Sequence, residues 1–160
     1  MRNKSGQLLE RPFIIIFVMV VAAMVFIFGF YLINNLLKAG TCSQLGLAVD
    51  DLKKEVNRYY NFDTGSSTKF KLKLPSKIEY ACFKNTGEEA NRFELDKVDK
   101  RLYPVLKDSK YNVIFVPINY CRSSFFKIDK LMVSEGTLCV LNSGGIDLTL
   151  ENKGDFVELS

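Results

Sequence analysis

Histidine and tryptophan are both absent from this chain of 160 residues. Without histidine, the chain lacks the usual general base at neutral pH and the commonest metal ligand in proteins. A serine or cysteine nucleophile would have no imidazole to activate it. The sequence also contains no run with the spacing of a calcium loop or of a phosphate-binding loop. We therefore predict that the protein is not an enzyme and that it binds no cofactor or metal.

A large excess of either charge is lacking as well, since the formal net charge is only +4. Three of the 22 basic residues, Arg2, Lys4 and Arg11, stand in the first eleven positions. From Lys38 onward the chain has 19 basic and 17 acidic residues. Because this larger part is nearly neutral, we expect no basic face for nucleic acid.

The sequence does have one long uncharged apolar stretch, PFIIIFVMVVAAMVFIFGFYLINNLL, from Pro12 to Leu37. A helix of about 26 residues is long enough to cross a hydrocarbon core of about 30 Å. The basic residues before the stretch predict that the N-terminus stays in the cytoplasm and that the following domain is exported. A cleavable secretory signal is the alternative. The apolar core of such a signal is shorter than this stretch, however, and residues 36–40 are a poor cleavage site. We predict an uncleaved signal-anchor in the cell membrane.

The chain is thus predicted to have three parts. Residues 1–11 are a cytoplasmic tail, residues 12–37 are a transmembrane helix, and residues 41–160 are an extracytoplasmic domain. The expected partners are the membrane itself and either other membrane or surface proteins or further copies of the chain. We expect the domain to act by binding or assembly.

The tail contains the pair Gly6-Gln7 after a basic stretch and shortly before the apolar stretch. In this respect the chain resembles the class III signal peptides of archaeal type IV pilins and archaellins. In that family a membrane peptidase cuts after the glycine and leaves the glutamine at the new N-terminus. The resemblance implies a processing site between Gly6 and Gln7 and a pilin-like plan, in which the helix anchors the subunit and packs under a sheet. The alternative is an uncleaved basic tail that only sets the topology.

The exported part is predicted to be an α+β domain in which an amphipathic helix packs on a mostly antiparallel β-sheet. After Gly40, apolar residues recur at steps of three and four, with charged residues between them. Gly40 either separates this helix from the transmembrane helix or only bends one long helix. The apolar face of the predicted helix consists of Leu45, Ala48, Leu52, Val56 and Tyr59.

Alternating and apolar runs predict the strands. In the run KFKLKL at residues 69–74, the apolar side chains are expected to face inward and the three lysines to face water. Such a lysine row usually is a solvated face that guards a sheet edge, and a binding strip for an acidic partner is the alternative. A short helix is predicted at 93–102. The other predicted strands are 78–83, 111–116, 125–133 with a bulge near 129–130, and a final meander of 138–141, 146–151 and 156–159.

All four cysteines, Cys42, Cys82, Cys121 and Cys139, follow the apolar stretch. An even number in an exported domain predicts two disulfide bonds, and four buried free thiols are the alternative. Hairpin turns near Pro75 and Glu135, together with a helix rising from the membrane, would keep Cys82 away from Cys42 and Cys139 away from Cys121. Of the two arrangements left, we choose Cys42–Cys121 with Cys82–Cys139. The other, Cys42–Cys139 with Cys82–Cys121, stays open.

Overall fold

A computed structural model describes the backbone of residues 7–107 and 109–160, with side chains from residue 12 onward. These residues form three α-helices and eight β-strands. The helices are α1 (Gln7–Tyr60), α2 (Arg92–Val98) and α3 (Leu102–Leu106). The strands are β1 (Ser67–Leu72), β2 (Tyr80–Lys84), β3 (Val113–Val116), β4 (Phe125–Phe126), β5 (Leu131–Val133), β6 (Thr137–Leu141), β7 (Ile146–Asn152) and β8 (Val157–Leu159).

Helix α1 contains both the apolar stretch and the amphipathic helix that the sequence predicts after Gly40. Within the described ranges it is the one helix that is long and apolar enough to cross a membrane, and no side chain between Pro12 and Leu37 is buried. Gly40 does not break the helix, because α1 continues to Tyr60. The chain divides into two compact units, one ending at Ala39 and the other beginning at Gly40. The predicted borders of the tail, the span and the domain stay predictions.

Two four-stranded sheets form most of the unit that begins at Gly40. Sheet A has the strand order β1-β7-β8-β5, in which only the pair β5–β8 is parallel. Sheet B has the order β4-β3-β2-β6 and is antiparallel throughout. The predicted α+β class with mostly antiparallel strands is therefore confirmed, but the one sheet that we predicted is two sheets.

The C-terminal part of α1 contributes to a core that it shares with both sheets. Leu52 and Val56 are fully buried there, among inward-facing residues such as Leu148 of sheet A and Phe115 of sheet B. Spacing of three and four residues places such side chains on one side of a helix, which explains why the predicted apolar face is correct. The complete buried face consists of Leu45, Ala48, Val49, Leu52 and Val56, with Tyr59 half-buried at its end.

Sheet B has a second apolar face, and α2 and α3 cover it. Leu95 of α2 and Leu102 of α3 are buried against this face together with Ile114 of β3. The single helix predicted at 93–102 is thus the pair α2 and α3. Pro104 lies within the first turn of α3, where the missing N–H of proline does not remove an intrahelical hydrogen bond.

Residues 125–133 do not form the single bulged strand that we predicted. Strand β4 pairs with β3 in sheet B, whereas β5 pairs with β8 in sheet A. Between them the chain turns at Asp129 and Lys130, and Lys130 has a φ of 66°. A backbone in this left-handed region ends an extended strand. The chain therefore crosses from one sheet to the other where the sequence had predicted only a bulge.

The predicted meander is also correct only in its last part. Strands β7 and β8 pair with each other, but β6 pairs with β2 in the other sheet. The chain passes from one sheet to the other between β6 and β7, and Asn142 stabilises this segment. Its amide donates to the carbonyls of Pro75 and Ile78, and its Oδ1 accepts from the N–H of Gly145. The turn near Pro75 makes no hairpin either, since β1 and β2 belong to different sheets.

Two buried asparagine side chains, next to strands of sheet B, bond to the backbone of the segment that leads into β5 and to β5 itself. Asn112 accepts a hydrogen bond from the N–H of Ile128 at 2.8 Å and donates to the Ile128 carbonyl at 2.7 Å. Asn85 makes the same pair of bonds with Val133, at 2.7 and 3.2 Å. A side-chain amide has a donor and an acceptor side by side, as a peptide group does. Each of these side chains therefore bonds to the backbone of the opposite segment as a peptide group of a neighbouring strand would.

The first prediction tests the packing of α1. Leu52 is fully buried and Lys53 is exposed. Leu52→Ala should lower the free energy of unfolding by about 2–5 kcal/mol, because it leaves a cavity in an enclosed core. Lys53→Ala is the matched control and should cost less than about 0.5 kcal/mol. Chemical denaturation of the chain in detergent, followed by tyrosine fluorescence, measures both. Equal costs would mean that α1 does not pack as described.

The second prediction tests the asparagine bridge. Asn112→Ala should cost about 1–3 kcal/mol for each backbone group of Ile128 that is left buried without a partner. Asn119 is exposed, so Asn119→Ala should change the free energy of unfolding by less than about 0.5 kcal/mol. The same denaturation experiment measures both variants. If Asn112→Ala proves as mild as its control, the bridge does not hold the sheets together.

Candidate binding surface

The structure contains two disulfide bonds, Cys42–Cys121 and Cys82–Cys139. The first ties α1 to the loop after β3, and the second joins residues that lie directly opposite each other on β2 and β6. This is the arrangement that we chose from the sequence. The hairpin turns used in that argument do not exist, however, so the choice did not follow from the real strand order.

The predicted processing site lies at the border of the described residues. Gly6 is outside them, and Gln7 is described only as backbone at the start of α1. The basic residues Arg2 and Lys4 are outside the described residues as well, and the side chain of Arg11 is not described. Cleavage between Gly6 and Gln7 therefore stays a prediction.

A groove of about 390 Å³ lies between α1 and β1. On the helix side its lining comes from one face of α1, where Leu47 is 62% exposed and Ala48 is buried. On the strand side Phe70 is half-buried and Leu72 is fully buried. The full lining is Gln44, Leu47, Ala48, Asp51, Phe70, Lys71, Leu72, Lys73, Leu74 and Pro75. The groove thus has an apolar floor, with Gln44 and Asp51 on the helix side and residues 71 and 73 of the lysine row on the strand side.

Strand β1 is an edge strand, because it stands at the end of sheet A and pairs only with β7 among the described strands. The direction of its peptide groups follows from the bonds around it. Ser66 accepts from the N–H of Asn152, and Thr149 exchanges two bonds with Ser160 on the far side of β7. Antiparallel pairs alternate along a ladder, so every second residue of β1 faces β7. The N–H and C=O groups of Ser67, Lys69 and Lys71 therefore point to the free edge.

The lysine row of β1 consists of Lys69, Lys71 and the following Lys73, and all three side chains are exposed. Lys71 lies across from Asp147 of β7, and Lys69 lies across from Thr149. None of the three makes an ion pair with an acidic side chain in the described ranges. The sequence was correct in placing the row in water at a sheet edge.

The carboxylates farther along the same face of sheet A already have a partner. Lys153 donates to Glu151 at 2.7 Å and forms an ion pair with Glu158 at 3.2 Å. The hydrogen bond that Lys153 donates to Glu151, followed by the one that it donates to Glu158, raises the pKa of Lys153. These two acids are thus neutralised locally. The lysine row of β1 remains a basic strip, with Asp147 of β7 across from Lys71.

Gly145 lets the chain enter sheet A close to this strip. A Cβ at this position would lie 3.0 Å from Cε of Lys71 and 3.3 Å from the carbonyl oxygen of Leu72. The residue also has a φ of +125°, which side chains rarely allow. The stem of Lys71 therefore packs over a bare backbone.

Among the described residues, no group of three or more cysteine or acidic side chains could hold a metal ion. The paired acids Glu88 and Glu89 have structural partners, since Glu88 accepts from Asn85 and Glu89 accepts from the hydroxyl of Tyr103.

The chain was compared with family models, with curated proteins and with solved structures, and none of the three comparisons found a match. The resemblance to pilins consequently depends on the tail and on the order of the elements.

Sequence reasoning identified the strand and its lysines but not the groove. The alternation in KFKLKL shows which side chains face water, because successive residues of a strand point to opposite faces. It does not show which neighbour pairs with the strand, and here that neighbour is β7, distant in sequence. The exposed Leu47 does not disturb the amphipathic pattern of the helix, so the sequence alone did not indicate that it lines a groove.

Proposed function

We propose that this protein is a single-pass membrane protein whose disulfide-bonded domain lies outside the cytoplasm and acts by binding or assembly at the cell surface. The observation that carries the proposal is the exposed apolar stretch of α1 between Pro12 and Leu37. Side chains of this kind are stable in a hydrocarbon core and costly in water. Attachment to a membrane is the simplest way to remove these side chains from water.

Charge next to the stretch supports the proposed orientation. Arg2, Lys4 and Arg11 precede it, and only Lys38 follows it closely. Cytoplasmic flanks are enriched in lysine and arginine, so this bias favours a cytoplasmic N-terminus. The two disulfide bonds support an exported domain independently, because such bonds persist mainly in oxidising compartments.

Binding is a better proposal than catalysis for two reasons. The whole chain lacks histidine, and the groove between α1 and β1 lies beside the outer edge of β1, where backbone N–H and C=O groups point outward. A free strand edge beside an apolar groove is a recurring way of binding an extended segment. Partners of the domain are therefore proposed to be other membrane or surface proteins or further copies of the chain.

The third prediction tests the orientation. In intact cells with a permeable envelope, added protease should remove an epitope tag placed after Ser160 and should leave a neutral tag before Met1 intact. Detergent-permeabilised cells serve as the control in which both tags are lost. The opposite pattern, with the C-terminal tag protected, would contradict the proposed topology.

Matched charge variants refine this experiment. Replacement of Arg2, Lys4 and Arg11 by glutamine should produce a mixed orientation, because the charge bias acts close to the span. The control replaces Lys100, Lys107 and Lys110, which are exposed and far along the chain from the span. That control should keep the original orientation, and equal effects of the two triple variants would mean that charge beside the span does not decide it.

A pilin-like subunit of a type IV-like filament is the second candidate. The order of elements favours it, since one helix contains an apolar part and an amphipathic part that packs on sheets. The pair Gly6-Gln7 adds the resemblance to a class III processing site. In this alternative the same apolar helix would anchor the subunit before assembly.

The fourth prediction separates the two candidates. Mass spectrometry of the N-terminus from native membranes should find the tail intact if the protein is an uncleaved anchor. Loss of residues 1–6 that is abolished by Gly6→Ala would instead support the pilin-like subunit. Gly29→Ala is the matched control, because a Cβ there meets open space in the described structure and should not change the N-terminus.

A further inference from the structure

The two edges of β1 can be compared directly, because one of them already has a partner. On the inner edge, Phe70 lies across from Leu148, Leu72 from Ile146 and Lys71 from Asp147. The partner strand has the sequence IDLTLE over residues 146–151, which alternates apolar residues with acidic or polar ones. Cross-strand neighbours of this kind stabilise a sheet, and opposite charges contribute to it. The inner edge thus shows which pattern the side chains of β1 accept.

The outer edge offers the same alternation to a second strand. The side chains of β1 are shared by both edges, with Phe70 and Leu72 on the face toward α1 and the lysine row on the opposite face. The N–H and C=O groups of Ser67, Lys69 and Lys71 point outward, as the bonding pattern around β7 requires. An added strand would find six backbone groups ready for hydrogen bonds.

The groove gives room for the apolar side chains of such a strand. It lies between β1 and α1, has a volume of about 390 Å³, and contains the exposed Leu47 and the half-buried Phe70. The acidic side chains of the strand would point the other way, beside Lys69 and Lys71. Main-chain bonds would supply affinity, and the two faces would supply specificity.

We propose that the outer edge of β1 binds an extended segment of a partner protein in which apolar and acidic residues alternate, as they do in β7. This proposal specifies the partner class of the binding function proposed above and depends on that function. It does not depend on the orientation of the chain in the membrane.

A second copy of the chain is a poor occupant of the same edge. Antiparallel pairing of two β1 strands would place the lysine rows of both copies on one face, with lysine beside lysine. Like charges directly across from each other destabilise a sheet. Lysine on an edge strand is a common barrier to self-pairing, and the same barrier becomes an attraction when the incoming strand is acidic.

The fifth prediction tests this binding with the full chain in nanodiscs of phosphatidylcholine. The probe is a fluorescent peptide that copies residues 146–151, IDLTLE, with neutral solubilising ends. Its binding is measured by fluorescence anisotropy, and amide hydrogen exchange is followed residue by residue. Exchange at Lys69 and Lys71 should slow by at least about tenfold at saturation, because their N–H groups gain acceptors. Exchange at Thr68 and Phe70 should not change.

Charge variants provide the matched controls. A triple variant should bind the peptide about tenfold more weakly or worse, because each acidic side chain of the peptide then meets a like charge. Its substitutions are Lys69→Glu, Lys71→Glu and Lys73→Glu. The same exchange of charge at Lys100, Lys107 and Lys110 should have no effect on binding. A peptide with lysines in place of its two acids should bind the first triple variant and not the unmodified chain.

Four results would overturn the proposal. They are unchanged exchange at Lys69 and Lys71, faster exchange throughout β7, equal loss in both triple variants, and edge protection that appears without peptide as the protein concentration rises. The second would mean that the peptide replaces β7, and the last that a second copy is the occupant. Failure of the proposed membrane-anchored function would appear separately in the protease experiment, which does not involve β1.

Discussion

The apolar side chains between Pro12 and Leu37 have to leave water, and no side chain in this stretch is buried by the described part of the chain. A hydrocarbon core is the environment that removes this cost. The rest of the proposal depends on this constraint. In the proposed function, anchoring would bring the domain to a membrane surface, the basic tail would favour one orientation, and an exported domain would retain the disulfide bonds Cys42–Cys121 and Cys82–Cys139.

The domain itself is held by contacts between parts that are distant in sequence. The C-terminal part of α1 buries Leu52 and Val56 in a core that both sheets share. Asn85 bonds to Val133 of β5, and Asn112 bonds to Ile128 in the segment before β5, in each case as a peptide group would. Burial of a polar group is costly unless it is bonded, so these amides fix the relation of the sheets as well as stabilise it.

The sequence predicted the parts of the fold that depend on local pattern. The apolar stretch follows from its length and lack of charge, whereas the buried face of α1 from Leu45 to Val56 and the lysine row of β1 follow from the period of a helix and of a strand. Strand pairing was not predictable in the same way. The turn at Asp129 and Lys130 and the one near Asn142 look like a bulge and a hairpin in sequence, yet both carry the chain between sheets. The candidate groove depends on that pairing, because β1 stands at the end of sheet A only in the strand order β1-β7-β8-β5.

Whether the four cysteines are disulfide-bonded or free thiols in living cells tests the central proposal most directly. Disulfide bonds persist in an exported domain, whereas cysteines of a cytoplasmic domain stay reduced. Cells are treated with a membrane-permeant alkylating reagent before lysis, and the protein from native membranes is digested without reduction and analysed by mass spectrometry. The proposal predicts no alkylated cysteine and two cross-linked peptide pairs, Cys42 with Cys121 and Cys82 with Cys139. Alkylation of all four cysteines would contradict an exported, disulfide-bonded domain.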